Sequence, residues 1–161
     1  MKNELLKILS DVKLFLFDLD GVLIHNEDLT DSQTKLVIEE IKNFSNELSV
    51  LGLKFGIVTA RNKDELITEL EKSGNIILIH STLEKVNAVT ELLDRLKLNF
   101  SNVFYAGDEV LDLPLLSKVG FSASPSWAKR DVKRSVKYIF KGNNIKSILS
   151  ELLDALKNIR N

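Results

Sequence analysis

The sequence predicts an α/β fold, a three-layer, doubly wound, Rossmann-like and mostly parallel sheet with helices on both faces. Short apolar runs of strand character alternate along the chain with longer segments of helical period. The 161 residues contain two prolines and seven glycines, so no linker, repeat or low-complexity tract breaks that alternation. Length and composition agree: 161 residues with 44% hydrophobic content suit one domain with a core between three layers. The whole chain, 1–161, therefore reads as a single domain.

The N-terminal stretch Met1–Ser10 sets Lys2, Glu4 and Lys7 among leucines, which predicts a short amphipathic helix; the apolar stretch of a signal peptide is not interrupted so often. The run Leu14-Phe15-Leu16-Phe17 predicts a buried strand over Leu14–Asp18. After a loop at Ile24–Leu29, Leu36, Val37, Ile41, Phe44, Leu48 and Leu51 recur at helical spacing, with Asp31 or Ser32 as cap and Gly52 as stop. One long helix, roughly Thr30–Leu51, leaves little room for an inserted cap domain. Further strands are expected at Lys54–Val58, Asn75–Ile79, Asn102–Tyr105, Gly120–Ser122 and Val136–Phe140. Helices are expected at Lys63–Ser73, Leu83–Leu96, near Leu113–Lys118, and at Asn143–Ile159. The last carries a stripe of Leu149, Leu152, Leu153 and Leu156, either core packing or a subunit contact.

A net charge of −1 supplies no basic footprint, which argues against nucleic acid or an anionic membrane as partner. The chain has no cysteine, hence no disulfide framework and no thiolate chemistry. No apolar run approaches the ~20 residues that span a bilayer. A soluble, cytoplasmic protein is the expectation.

Ligands of open parallel sheets bind beyond the carboxyl ends of the strands. Reading those ends in turn gives Asp18 and Asp20, then Thr59, then Lys85 early in the next helix, then Asp108, Glu109 and Asp112. Two carboxylates ejected together from a core strand repel one another unless a divalent cation, or chemistry needing one of them protonated, sits between them. The set suits phosphoryl transfer. One carboxylate attacks phosphorus, a second protonates the leaving oxygen and then activates water, and a hydroxyl and an ammonium hold the equatorial oxygens. Magnesium on hard oxygen ligands would let an anionic nucleophile approach an anionic substrate.

Asp18-Leu-Asp20-Gly-Val-Leu, Thr59-Ala60-Arg61, Lys85 and Gly107-Asp108-Glu109-Val-Leu-Asp112 resemble, in order, the four motifs of the haloacid dehalogenase superfamily. The stretch Gly107–Pro114 followed by Val119-Gly120 is most similar to its capless sugar-phosphate phosphatases, the 3-deoxy-manno-octulosonate 8-phosphate and nonulosonic acid phosphate phosphatases. The resemblance implies Asp18 as nucleophile and Asp20 as general acid/base. It implies Thr59, Ala60 and Arg61 at the substrate and Lys85 neutralising phosphate. Mg²⁺ would be held by Asp18, the Asp20 carbonyl and Asp108. Asp112 would stand behind them, orienting Lys85 or a metal-bound water. The implied substrate is a small phosphorylated metabolite, a sugar or sugar-acid phosphate.

At three places the chain departs from that pattern: Ile24-His25-Asn26 replaces the start of a hairpin flap, Ala60 stands for glycine, and a glycine-rich tail is reduced to Lys141-Gly142-Asn143-Asn144. These elements shape substrate choice and assembly in the family, so a homo-oligomer, there a tetramer, is implied by the resemblance but not by these segments.

Plainer readings stand beside these. The two aspartates could cap a turn, Thr59 could simply finish its strand, and Lys85 could be a solvated helix side chain. Glu109 and Asp112 could complement a helix dipole, with Glu109 equally able to touch metal, and Arg61 could form a surface salt bridge. His25 and His80 read as loop histidines without a role, and Trp127 as packing at a helix start. Two other functions use similar residues. A receiver domain carries its phosphorylated aspartate on the third strand, where this chain has His80-Ser81. A catalytically retired module of the same fold typically lacks the nucleophile or the acid, and both are present.

Overall fold

The computed structural model describes residues 1–25 and 29–160. Six strands form one all-parallel sheet: β1 (Leu14–Phe17), β2 (Lys54–Val58), β3 (Ile76–Ile79), β4 (Val103–Ala106), β5 (Phe121–Ser124) and β6 (Tyr138–Ile139), in the order β3-β2-β1-β4-β5-β6. Seven α-helices connect and flank them: α1 (Asn3–Ser10), α2 (Asp31–Val50), α3 (Glu65–Glu71), α4 (Lys85–Leu96), α5 (Leu113–Leu116), α6 (Arg130–Ser135) and α7 (Ile145–Arg160).

Strand side chains alternate between faces, and the two faces build separate cores. Phe15 and Phe17 of β1, Phe55 of β2, Phe104 of β4 and Phe121 of β5 meet Ile41, Phe44 and Leu48 of α2, Ile67 and Leu70 of α3, and Leu149 and Leu152 of α7. Leu14 and Leu16 point the other way, with Val103 and Tyr105, onto Val89 and Leu92 of α4, Leu115 of α5 and Val132 of α6. Aromatic rings run across the first face, Phe15 on Phe104 at 5.3 Å and Phe104 on Phe121 at 5.5 Å between centroids, adding specific contacts to their burial. The doubly wound architecture expected from the sequence is the observed one.

The chain leaves β1 toward β2 on one side and returns beside it as β4 on the other. The crevice at that switch point opens between the carboxyl ends of β1 and β4, where Asp18 and Asp108 emerge.

Details differ from expectation. The cap of α2 is Thr30, which accepts the Gln33 N–H, in place of Asp31 or Ser32; the first turn is set one residue earlier by a reciprocal capping box. Helix α6 was not expected, because its six residues bury only Val132 and so leave no period to read. The sixth strand is shorter than Val136–Phe140. The leucine stripe of α7 packs in the core; Leu149, Leu152 and Leu156 are buried. The expected loop at Ile24–Leu29 lies partly outside the described residues, at 26–28. Among the described residues no cap domain is inserted between the strands that carry the motifs, and no helix is long and apolar enough to cross a membrane.

Candidate active site

Asp18 follows β1 directly and is only 7% exposed. Its Oδ1 accepts the Leu19 N–H at 2.8 Å and its Oδ2 lies 2.8 Å from Lys85 Nζ. Lys85 opens α4 and is itself buried, with Nζ also 2.7 Å from Asp112 Oδ1 and donating to Tyr105 Oη at 3.2 Å. A buried ammonium is tolerated only where charge and hydrogen bonds compensate it, and two carboxylates and a phenol do so here.

Asp112 is the hub. It is fully buried; Oδ1 takes Lys85 and the Tyr105 O–H at 2.6 Å, while Oδ2 takes the backbone N–H groups of Asp108 and Glu109 at 3.0 and 3.1 Å. Gly107 leaves space for it, since a Cβ there would stand 2.6 Å from the Asp112 side chain. Tyr105 escaped the sequence reading. A tyrosine in a core strand needs a hydroxyl partner, which was the available signal.

Asp20, Arg61, Asp108 and Glu109 line the mouth. A cleft of about 540 Å³ is bordered by Asp20, Ile24, His25, Arg61, Asp108 and Glu109, among others. Asp20 Oδ1 receives Arg61 Nη1 at 2.7 Å, and Arg61 Nε donates to Asp64 Oδ2 at 2.6 Å. Asp64 meanwhile caps α3 through the Ile67 N–H, so one aspartate fixes both the helix and the arginine that reaches Asp20. Thr59, just past β2, is buried and its Oγ1 accepts the Arg61 N–H at 3.1 Å; Ala60 between them is half-buried. The plain reading of Arg61 holds, since it forms salt bridges, and it forms them at the cleft.

Glu109 does not join the buried cluster. Its carboxylate is exposed and faces Lys129 Nζ at 3.7 Å. His25 lies tilted against Trp127, whose ring packs against the core, and His80 lies away from the cleft beside Ser81 and Glu71.

One carboxylate oxygen each of Asp18, Asp108 and Asp112 lies within 4.8 Å of the others. Each Asp112 oxygen already takes two partners, whereas each Asp18 oxygen takes one, so Asp18 and Asp108 are the carboxylates with lone pairs left for a cation. Asp108 Oδ1 is buried with no hydrogen-bond partner. Burial, then the Asp112 charge, push the Asp18 carboxyl up to about 7 against the opposing pull of Lys85. Burial, Asp112 and Glu109 push Asp108 up to about 7 as well. An orphaned buried oxygen and two crowded acids, all hard oxygen donors, fit a divalent cation such as Mg²⁺.

That crowding predicts a stability that responds to pH and to Mg²⁺. Unfolded, each acid releases its proton near 3.8; folded and metal-free, each holds it to about 7. Between those values the folded state binds more protons, so this pair's contribution to stability falls as pH rises from about 4 to about 7 and is flat above. A cation relieves the repulsion only where the acids are ionised. Mg²⁺ should therefore raise the melting temperature more at pH 8 than at pH 5, by scanning calorimetry against EDTA-treated protein. An equal rise at both pH values contradicts this.

A family described as haloacid dehalogenase-like hydrolase matches residues 63–152, more than half of the chain. The chain belongs to the haloacid dehalogenase-like hydrolases. Within them it is 26% identical over 121 residues to the 3-deoxy-D-manno-octulosonate 8-phosphate phosphatase of Salmonella typhi, covering 71% of this chain and 62% of that protein. The Escherichia coli K12 protein of the same name is 27% identical over 122 residues with the same coverage. The chain thus spans about three-fifths of the length of these curated relatives. Among solved structures, the Moraxella catarrhalis phosphatase of that name, in complex with magnesium, phosphate and KDO, superposes with a TM-score of 0.81 at 22% identity, over 99% of this chain and 96% of that one. The Yersinia pestis phosphatase gives 0.84 at 19% identity, over 99% and 88%. At such identities these two show a shared haloacid dehalogenase-like fold.

Proposed function

We propose that this protein is a Mg²⁺-dependent phosphomonoesterase that hydrolyses a small sugar or sugar-acid phosphate through an aspartyl phosphate on Asp18. The carrying observation is the buried Lys85 ammonium held between Asp18 and Asp112 at 2.8 and 2.7 Å, beside an Asp108 oxygen that lacks a partner. A solvated lysine or a turn-capping aspartate would not be built this way. The curated relatives named as octulosonate phosphatases support the substrate class, and the magnesium in the Moraxella structure supports the metal.

Asp18, the Asp20 carbonyl and Asp108 would hold the cation. Bound there, it would neutralise negative charge between nucleophile and phosphoryl group. The phosphate of a substrate in the cleft meets Lys85 and the Thr59 hydroxyl, which bind its oxygens. An Asp18 carboxylate oxygen forms a bond to phosphorus as the ester P–O bond breaks, and the Asp20 carboxyl gives its proton to the leaving oxygen. The Asp20 carboxylate then takes a proton from water, whose oxygen attacks phosphorus. The bond to Asp18 breaks, and inorganic phosphate leaves. Asp112 and Tyr105 hold Lys85 on Asp18 throughout, and Arg61 places Asp20 at the cleft.

Phosphate release from a panel of phosphorylated sugars and sugar acids tests this directly. Turnover with Mg²⁺ that EDTA abolishes is the expected result. A folded protein that releases phosphate from none of them would contradict the reading in favour of a retired module.

A further inference from the structure

The connection between β5 and α6 lies outside the four motifs, yet it grips both sides of the cleft. Trp127 Nε1 donates to the Gly21 carbonyl at 2.7 Å, and its ring lies against His25 with centroids 4.4 Å apart and planes at 38°. Two residues on, the Lys129 N–H donates to the Asp108 carbonyl at 3.0 Å. Gly21 and His25 flank the turn that follows Asp20, a turn closed by the Gly21 N–H on the Ile24 carbonyl at 2.7 Å. Gly21 has φ +88°, and a Cβ there would stand 2.0 Å from Asp108 Oδ2. The backbone carrying Asp20 is therefore pressed against Asp108 on one side and tied to the indole on the other. The Asp20 side chain is half exposed and bridges to Arg61, itself partly exposed, so its placement depends on this backbone.

We propose that Trp127 is a positioning residue for Asp20: its N–H on the Gly21 carbonyl and its ring on His25 set the turn from which the Asp20 carboxyl reaches the leaving oxygen. This rests on the assignment of Asp20 as the proton donor. The consequence is selective. As the Asp18–phosphorus bond forms and the ester P–O bond breaks, a strongly basic leaving oxygen must take the Asp20 proton, whereas a nitrophenolate departs as the anion without it. A displaced Asp20 thus lowers kcat/KM, which reports formation of the Asp18–phosphorus bond, only for esters of basic leaving groups, while a general loosening of the fold lowers it for all alike. Hydrolysis of the aspartyl phosphate, which also uses Asp20, is common to all esters and does not enter that ratio.

The test compares 2,4-dinitrophenyl, p-nitrophenyl and phenyl phosphate in wild type and Trp127→Phe. Trp127 is the only tryptophan, so growth of a tryptophan auxotroph on β-(3-benzothienyl)alanine replaces this one residue with an isostere that lacks the N–H. That second protein keeps the ring packing if Trp127→Phe folds poorly. The expected result in both is a kcat/KM loss on the order of 10- to 100-fold for phenyl phosphate, with kcat/KM for the dinitrophenyl ester affected by about threefold or less. Equal losses of kcat/KM across the series, or no loss, overturn the role of Trp127 while the phosphatase reading stands on the wild-type turnover. Wild-type protein that hydrolyses none of the three, nor any compound of the sugar phosphate panel, removes the phosphatase reading and this role with it.

Discussion

Asp18→Asn is expected to lose on the order of 10⁴–10⁶-fold in turnover while keeping its fold. An amide cannot displace the ester oxygen from phosphorus, so no other group in the cleft replaces the lost nucleophile. The fold survives because the amide oxygen can still accept the Leu19 N–H, and Lys85 keeps its bonds to Asp112 and Tyr105. Phosphate release on the best substrate of the panel, beside a thermal melt, measures both halves of the prediction. Substantial turnover by the purified variant would sink the assignment.

Lys85→Met should be costly for both stability and rate. The substitution keeps an apolar stem of similar length and deletes the charge that Asp18 and Asp112 share. Two buried carboxylates then face each other without compensation, a situation that costs about 3–5 kcal/mol. Lys85 is among the influences that hold the Asp18 and Asp108 carboxyls down, so its loss moves both further up. The folded variant then retains its protons to a higher pH than wild type does, and its stability goes on falling above pH 7, where that of wild type levels off. Urea unfolding should show a larger deficit relative to wild type at pH 8 than at pH 5; equal deficits would contradict the electrostatic account. Loss of the ammonium at the phosphoryl oxygens should lower kcat by on the order of 10²–10³-fold.

The parts of this site that were legible in the sequence are those that strand ends deliver. Continuous apolar runs identify β1, β2 and β4, and polar residues directly after them must emerge at one edge of a parallel sheet, which is how Asp18, Thr59 and Asp108 could be placed together. Lys85 became legible through its order among them. What sequence could not display are pairings between distant positions. The Trp127 bond to Gly21 spans 106 residues and the Arg61 bridge to Asp20 spans 41, and neither leaves a local pattern. Tyr105 was hidden differently: its strand is apolar throughout, and its hydroxyl matters because Asp112 and Lys85, 7 and 20 residues away in the chain, meet it over the same face. Helix α6 was missed because a six-residue helix on one buried valine has no periodicity. Asp64 was unread because its capping role shows only in the Ile67 N–H bond.

The covalent intermediate is the most direct test of the central claim. Rapid acid quench of a single turnover with a ³²P-labelled ester, followed by peptide mapping, should find label on the peptide containing Asp18, absent in Asp18→Asn. Phosphate release by the wild-type protein with no label at any time point, or with label on a peptide lacking Asp18, would contradict the mechanism.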